Sequence, residues 1–215
     1  MRRGGKIAVV AAGLVGASAL SYVLVVGFPA ATPALADLPI GKAAPSFRAA
    51  DAGGRTVSLS DFAGKTVVLE WNNPKCPTVK ENYESGNMQK MQAAAATDGV
   101  VWLTINSGGP WRQGHMNGEQ AKAYVAAQKA RSAAYLLDPE GAVGRSYGAK
   151  TTPHIFVVNK AGALVYRGGI DGPAPGNADS KGARNHVLAA LGELKAGKPV
   201  SVPTSRPYGC AVKYG

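Results

Sequence analysis

Cys76 is the residue of this chain best suited to act as a nucleophile. It follows an apolar, β-branched run at 66–71 that predicts a buried strand, and it precedes Pro77, a residue favoured in the first turn of a helix. Free backbone N–H groups at a helix start stabilise a thiolate, and the adjacent Lys75 adds positive charge. The pattern therefore predicts a thiol whose pKa lies below the usual value of ~8.5.

The chain contains one other cysteine, Cys210. Two cysteines allow a single intramolecular pairing, and a disulfide between them would close a very long loop. In the loop-entropy model such a bond contributes on the order of 4 kcal/mol to stability. A purely structural disulfide is therefore one interpretation of the pair.

The first 36 residues have the composition of an export signal. Three basic residues among the first six are followed by no charge until Asp37, and the uncharged run ends in Ala34-Leu35-Ala36, a small-x-small cleavage pattern. A retained membrane anchor is the alternative, because residues 7–28 are long enough to span a bilayer. Both interpretations predict an exported protein, either periplasmic or held at the membrane facing the periplasm, where disulfides can form.

Length and composition predict one globular domain. Glycine and proline sum to 28 + 14 = 42 of 215 residues, which is too few for a low-complexity chain. We place the domain at 37–198, after the signal peptide or anchor at 1–36 and before a tail at 199–215. Without the three basic residues of the first six the net charge is 21 − 13 = +8, which most simply serves solubility. An anionic membrane or an acidic partner outside the cytoplasm is the alternative, and nucleic acid is not expected as a partner.

The domain alternates strands with helices and then ends in a hairpin and a helix, which predicts a mixed α/β sheet. A β-hairpin is expected at 46–59, and the helix after Cys76 has an imperfect period around Gly86. The remaining predictions are a strand at 100–105, a long exposed loop at 106–117, a helix at 119–131, strands at 135–137, 155–158 and 164–167, a loop at 171–182 and a helix at 183–196.

This order of elements, with Cys76-Pro77-Thr78 at a helix start and Thr152-Pro153-His154 before the final hairpin, resembles the thioredoxin fold. It is most similar to the redoxin or peroxiredoxin-like branch, including uncharacterised members with a Gly-Cys segment like Gly209-Cys210. The resemblance covers roughly residues 40–194. It implies a central mixed β-sheet flanked by helices, an N-terminal β-hairpin, and a cis peptide bond that places Pro153 against the cysteine.

Two motifs of related families are absent. The Cys-x-x-Cys of thiol-disulfide exchangers is replaced by Cys76-Pro77-Thr78-Val79, and the Pro-x-x-x-Thr-x-x-Cys of typical peroxiredoxins has Leu69 and Asn73 at its Pro and Thr positions. A local dithiol and strong peroxidase activity are therefore not expected. Cys210 is left as the candidate resolving cysteine, and we expect it to lie beside Cys76 because the tail is long enough to return.

The resemblance also suggests roles for other residues. Glu70, six positions before Cys76, corresponds to an acid that moves protons for the cysteine, although an ion pair with a basic residue is an equal alternative. The predicted substrate contacts are Thr152, Pro153, His154, Trp71 and Thr78.

The predicted function is that of an exported, thiol-dependent oxidoreductase with disulfide-exchange or antioxidant activity. Cys76 would attack a protein disulfide or a peroxide, Cys210 would resolve the product, and an external thiol would supply the electrons. No cofactor and no metal site are expected, because the histidines lack ligand spacing. The alternative is a non-enzymatic binding or scaffold protein with a structural Cys76–Cys210 disulfide. Membrane association would come from the N-terminal segment.

Overall fold

The computed structural model describes residues 38–172 and 184–215, so the predicted signal or anchor at 1–36 and most of the predicted loop at 171–182 lie outside the described residues. The strands are β1 Arg48–Asp51, β2 Thr56–Ser58, β3 Val67–Trp71, β4 Val101–Asn106, β5 Ala134–Leu137, β6 Thr151–Thr152, β7 His154–Val158, β8 Leu164–Gly168, β9 Asp171–Gly172, β10 Arg184–Asn185 and β11 Cys210–Ala211. The helices are α1 Pro77–Glu84, α2 Asn87–Thr97, α3 Gly118–Ala127, α4 Ala142–Tyr147 and α5 His186–Lys195, with a 3-10 turn at Leu59–Phe62. Within these ranges, no helix combines the length and the apolar character needed to cross a membrane.

The central sheet has the strand order β2-β1-β5-β4-β3-β7-β8. β3, β4 and β5 are parallel, and β7 and β8 continue the sheet in antiparallel fashion. The β1–β2 hairpin extends the other edge by pairing antiparallel with β5. The predicted mixed α/β sheet with an N-terminal hairpin is therefore confirmed.

All five residues of β3 are buried, so both faces of this strand pack against other elements. Successive side chains of a strand point to opposite faces of the sheet. Val68 packs in the same cluster as Cys76, whereas Leu69 and Trp71 pack in a second cluster. Glu70, two residues after Val68, consequently faces the same side as Cys76.

The helix predicted after Cys76 is divided in two at Gly86. The φ angle of Gly86 is 76°, a left-handed conformation that glycine adopts without a steric penalty. The change of direction between α1 and α2 allows Tyr83 and Met88 to enter one core cluster. The imperfect helical period near Gly86 therefore has a structural cause.

The prediction of an exposed loop at 106–117 is wrong for its first four residues. Residues 106–109 are buried, because Asn106 is the last residue of β4 and the tail covers Gly109, whose amide donates to the carbonyl of Lys213 at 2.8 Å. Trp111, further along the loop, is fully exposed. The sequence pattern could not reveal a cover supplied by a segment so distant in the chain.

The predicted tail at 199–215 crosses the domain. The amide of Arg167 donates to the carbonyl of Pro203 at 3.0 Å, and β11 then pairs antiparallel with β6. The amide of Val212 donates to the carbonyl of Lys150 at 3.0 Å. The tail thus delivers Cys210 to the strand that precedes Pro153.

Candidate active site

Cys76 is the N-cap residue of α1, with an extended backbone, and Pro77 occupies the first helical turn. The loop before it is a tight turn around Asn73. Its side-chain Oδ1 accepts from the amide of Lys75 at 2.8 Å, and its carbonyl accepts from the amide of Cys76 at 3.0 Å. This turn ends the run from β3 and fixes the fully buried Cys76 thiol at the helix start.

The second wall of the site is formed by β6 and β11. The Thr152–Pro153 peptide bond is cis, as predicted. The Cys76 thiol donates to the carbonyl of Thr152 at 3.0 Å, and Cys210 lies opposite Thr152 in the β6–β11 pair. The prediction that the two cysteines are neighbours is confirmed, because Thr152 both accepts from the Cys76 thiol and pairs with Cys210. Both cysteines are free thiols in this structure.

The Cys76 sulfur is surrounded by groups that can stabilise a thiolate. Burial by itself raises the pKa of Cys76, because a thiolate loses hydration in the core. The Cys210 side chain, the Val79 amide, the Thr152 side chain and the Cys210 amide favour the ionised form, and together they bring the pKa of Cys76 below its ordinary value of 9.0. The direction agrees with the prediction made from the helix start.

Cys210 has the opposite electrostatic balance. Burial, the hydrogen bond to Cys76 and the negative charge that forms there raise the pKa of Cys210 to about 11, against the opposing effect of Lys213. A thiol that donates to a thiolate loses that bond when it ionises, so Cys210 holds its proton longer. The pair therefore combines one nucleophilic sulfur with one protonated partner.

We expect the two thiols of the reduced protein to react with iodoacetamide in different pH ranges. The reagent attacks thiolates, so labelling of Cys76 should rise through a midpoint below pH 9.0, whereas labelling of Cys210 should rise only toward about pH 11. Restricted access to the Cys76 sulfur slows its reaction at every pH, but the midpoint of the curve still follows the pKa of the thiol. Timed labelling followed by peptide mapping measures both curves.

The variant Cys210→Ala provides the control for this measurement, because it removes a donor to the Cys76 sulfur. The labelling midpoint of Cys76 should then move to higher pH. Equal midpoints for both thiols in the unmodified chain, or an unchanged Cys76 midpoint in Cys210→Ala, would show that Cys210 does not lower the pKa of Cys76.

Glu70 is fully buried and accepts hydrogen bonds from five side chains. Burial raises the pKa of Glu70, and the bonds donated to it counteract this effect only in part. Within the described residues no basic side chain forms an ion pair with Glu70, so the alternative of an ion pair is not realised there. The donors are Asn72 Nδ2 at 3.1 Å, Tyr83 Oη at 3.0 Å, Gln92 Nε2 at 3.3 Å, Trp102 Nε1 at 2.8 Å and Thr104 Oγ1 at 3.2 Å.

Tyr83 connects the Glu70 network to the surroundings of the thiol. Its hydroxyl donates to Glu70, and its ring belongs to the core cluster that contains Cys76. The ring of Tyr124 lies 5.8 Å from that of Tyr83 and extends the network toward α3. Among the described contacts, none is a direct hydrogen bond between Glu70 and Cys76, so the role of Glu70 in proton transfer stays a prediction.

Trp71, predicted to contact substrate, faces away from Cys76. It is fully buried, its indole Nε1 donates to Ser107 Oγ at 3.0 Å, and its ring lies 5.1 Å from that of Phe156. The alternation of β3 causes this placement, since Trp71 follows Glu70 directly. A substrate at Cys76 has no access to the Trp71 ring in this structure.

His154 also faces the second cluster, with its ring 4.4 Å from that of Phe156. Its Nδ1 accepts from the amide of Lys150 at 3.2 Å. Burial and the positive charges of Arg167 and Lys150 lower the pKa of His154 to about 3. The imidazole is therefore neutral at physiological pH, which removes the imidazolium as a proton donor for the site.

Thr78 lies in the first turn of α1 and is half-buried. It lines a surface cavity of about 360 Å³ together with Asp171 and Tyr208. Of the predicted substrate contacts, the structure thus brings Thr152 to Cys76, with Pro153 following it through the cis bond. It places Thr78 close by on α1 and separates Trp71 and His154 from the thiol.

A cysteine at the helix start after the central strand, a cis proline on the facing wall and this strand order define a thioredoxin-type fold. The chain belongs to the Redoxin family, whose profile matches residues 39–185. No curated protein matches the chain.

Solved structures agree with this assignment. A hypothetical protein from Sinorhizobium meliloti 1021 is 27% identical with a TM-score of 0.72, and the match covers 84% of this chain and 97% of that chain. An uncharacterized conserved protein from Geobacillus kaustophilus is 26% identical with a TM-score of 0.72, over 82% and 93% of the two chains. A protein assigned as the thiol:disulfide interchange protein DsbE from Chlorobium tepidum is 26% identical with a TM-score of 0.51, over 61% and 85%. Family and fold support an oxidoreductase.

Proposed function

We propose that this protein is an exported thiol oxidoreductase in which Cys76 is the nucleophile and Cys210 is the resolving cysteine. The observation that carries the proposal is the position of Cys210 opposite Thr152, whose carbonyl accepts from the Cys76 thiol at 3.0 Å. In this arrangement the pKa of Cys76 is lowered and that of Cys210 is raised. A low pKa at one sulfur and a protonated second sulfur beside it are the properties that thiol-disulfide exchange needs.

With a disulfide substrate, the Cys76 thiolate attacks one sulfur, the substrate S–S bond breaks, and the first substrate thiolate leaves. Cys210 then attacks the Cys76 sulfur, a Cys76–Cys210 bond forms, and the second substrate thiolate leaves. The protons of the two protein thiols pass to the leaving groups, so the substrate gains two electrons and the protein loses two. An external thiol reductant regenerates the reduced pair.

With a hydroperoxide, the Cys76 thiolate attacks the terminal oxygen, the O–O bond breaks, and an alcohol leaves after protonation. The sulfenic acid on Cys76 is then attacked by Cys210, which releases water and forms the same disulfide. Leu69 and Asn73 stand where typical peroxiredoxins have their proline and threonine. We therefore propose disulfides as the main substrates, which the similarity to the Chlorobium tepidum interchange protein supports.

Export is proposed from the composition of residues 1–36, three early basic residues followed by a long uncharged run. This location would supply disulfide substrates, because disulfides persist outside the reducing cytoplasm. A periplasmic or membrane-facing position is tested by fractionating cells that produce the tagged chain, and recovery in the cytoplasmic fraction would contradict it.

We expect the reduction potential of the Cys76–Cys210 couple to lie well above about −300 mV, the range below which structural disulfides fall. A lowered thiol pKa stabilises the reduced form, and this makes the disulfide more oxidising. The measurement equilibrates the protein in glutathione or dithiothreitol buffers and counts alkylated thiols by mass spectrometry. A potential below about −300 mV would favour the non-enzymatic scaffold with a structural disulfide.

A further inference from the structure

The segment at 209–215, called here the Cys210 segment, occupies the backbone edge next to the thiol. Cys210 pairs with Thr152 and Ala211 with Thr151, and the amide of Val212 donates to the carbonyl of Lys150 at 3.0 Å. In the described part of the chain, β6 has no other partner strand. The open edge at which an added strand could pair beside Cys76 is therefore already taken.

The far end of the Cys210 segment is held by specific contacts around Tyr214. The Tyr214 hydroxyl donates to the carbonyl of Ala149 at 2.7 Å, and the Arg145 guanidinium lies 4.5 Å from the centre of the Tyr214 ring. Arg145 Nη2 also donates to the oxygen of Gly215 at 3.0 Å. These contacts involve residues after Cys210, so they hold the segment in place independently of the interactions of the Cys210 thiol.

Two glycines make room for this end of the segment. A β-carbon at Gly109 would collide with the backbone of Gly215, and one at Gly144 would lie 2.5 Å from the Tyr214 hydroxyl oxygen. The groove therefore fits a close backbone and an aromatic ring. This fit, together with the hydrogen bonds, indicates a docked segment with a defined register.

The docked segment should hinder a polypeptide disulfide more than a small disulfide in reaching Cys76. An extended polypeptide that brings a disulfide to Cys76 gains its affinity by backbone pairing with a sheet edge, and the edge at Thr151–Thr152 carries the Cys210 segment. A small disulfide requires access to the sulfur but no backbone edge. Cys210 is only half-buried and Gly209 is exposed, so the cover on that side of the thiol is thin.

We propose that the Cys210 segment is a built-in competitor of polypeptide substrates and thereby sets the substrate preference of Cys76. A polypeptide disulfide reacts after the segment has left β6, whereas a small disulfide reacts without its full release. This inference rests on the proposed oxidoreductase function and adds to it the element that decides between the two substrate sizes.

The test compares Tyr214→Ala with the unmodified chain in single-turnover reactions. Reduced protein, freed of reductant, is mixed with insulin as the polypeptide disulfide or with 5,5′-dithiobis(2-nitrobenzoic acid) as the small disulfide, and the loss of the free Cys76 thiol is followed by quenching with an alkylating reagent. Tyr214→Ala loses a hydrogen bond and the contact with Arg145, so we expect the ratio of insulin rate to small-disulfide rate to rise about tenfold.

Docking is measured independently of activity by hydrogen exchange at the amide of Val212. Exchange should accelerate about tenfold in Tyr214→Ala, and less in Tyr214→Phe, which keeps the ring over Arg145. Gly109→Ala is a second route to the same state, because its β-carbon meets the backbone of Gly215 and Tyr214 and displaces the segment sterically while the Tyr214 side chain is kept. Gly109→Ala should also raise the exchange rate of the Val212 amide and the ratio of insulin rate to small-disulfide rate.

An unchanged insulin ratio in variants whose Val212 exchange is faster would overturn the competitor proposal while leaving the oxidoreductase function intact. Unchanged Val212 exchange in both Tyr214→Ala and Gly109→Ala would also overturn it, because these residues would not hold the segment. Absence of reaction with both disulfides in the unmodified chain and in the variants would instead contradict the proposed function.

Discussion

Replacing Cys76 by serine should abolish reaction with 5,5′-dithiobis(2-nitrobenzoic acid) on the time scale of the unmodified protein. Burial still raises the pKa of the remaining Cys210 thiol, although the two contributions from Cys76 are lost, so most Cys210 thiols stay protonated at pH 7. The unmodified protein should release two equivalents of thionitrobenzoate, because Cys76 expels the first and Cys210 expels the second. Absorbance of the released product measures both the rate and the number of equivalents.

Cys210→Ser is the matched variant for this experiment. Cys76 still attacks, but nothing resolves the mixed disulfide, so one equivalent should be released and the adduct should be visible by mass spectrometry. Two equivalents from Cys210→Ser, or an undiminished rate in Cys76→Ser, would reverse the roles assigned to the two sulfurs.

Replacing Glu70 by alanine should lower the free energy of unfolding by about 3–5 kcal/mol. The carboxylate is the acceptor for buried donors, and within the described residues the Trp102 indole and the Thr104 hydroxyl find no other acceptor. Each buried donor left without a partner costs roughly 1–3 kcal/mol, and the lost side chain leaves a cavity. Urea unfolding at pH 7 measures the change. Glu84→Ala, an exposed acid on α1, is the control and should change stability by less than about 0.5 kcal/mol.

Glu70→Gln separates the charge of this residue from its hydrogen bonds. It keeps an acceptor for the Trp102 indole and should cost about 1–2 kcal/mol, less than alanine. The pKa of Glu70 is raised in the folded state, so its contribution is complete below the unfolded pKa of about 4.5 and is lost as pH rises through the folded pKa. The stability difference between the unmodified chain and Glu70→Gln should therefore shrink as pH rises. Equal losses for alanine and glutamine would show that the loss does not come from buried donors left without an acceptor.

The sheet and the helix start at Cys76 could be predicted because their signals are local. Apolar β-branched runs predict buried strands at β3 and β7, and Pro77 after a polar turn predicts a helix start. The cis bond before Pro153 followed from a family resemblance carried by a short motif. The cover over Gly109 could not be predicted, since it depends on where a distant segment docks.

Only the parts of the candidate site that have local sequence signals could be predicted. Cys76 and Pro153 carry sequence signals of their own, but the donors to Glu70 come from neighbouring strands and helices whose register is invisible in the sequence. Trp102 and Thr104 lie two residues apart on β4, so they share a face, and only the pairing of Glu70 with Thr104 places them beside the carboxylate. The placement of Trp71 away from Cys76 has the same origin, because a shift of one residue along a strand reverses its face.

The reactive centre is complete only after the C-terminal tail has been synthesised, because the tail carries Cys210. Cys210 follows Cys76 by 210 − 76 = 134 positions, so a nascent chain carries Cys76 for most of its synthesis without the thiol and amide of Cys210. During that interval two of the groups that favour the thiolate are missing, and the Cys76 sulfur is the weaker nucleophile. The reactive centre is therefore complete only once the C-terminal segment has been made and has paired with Thr152.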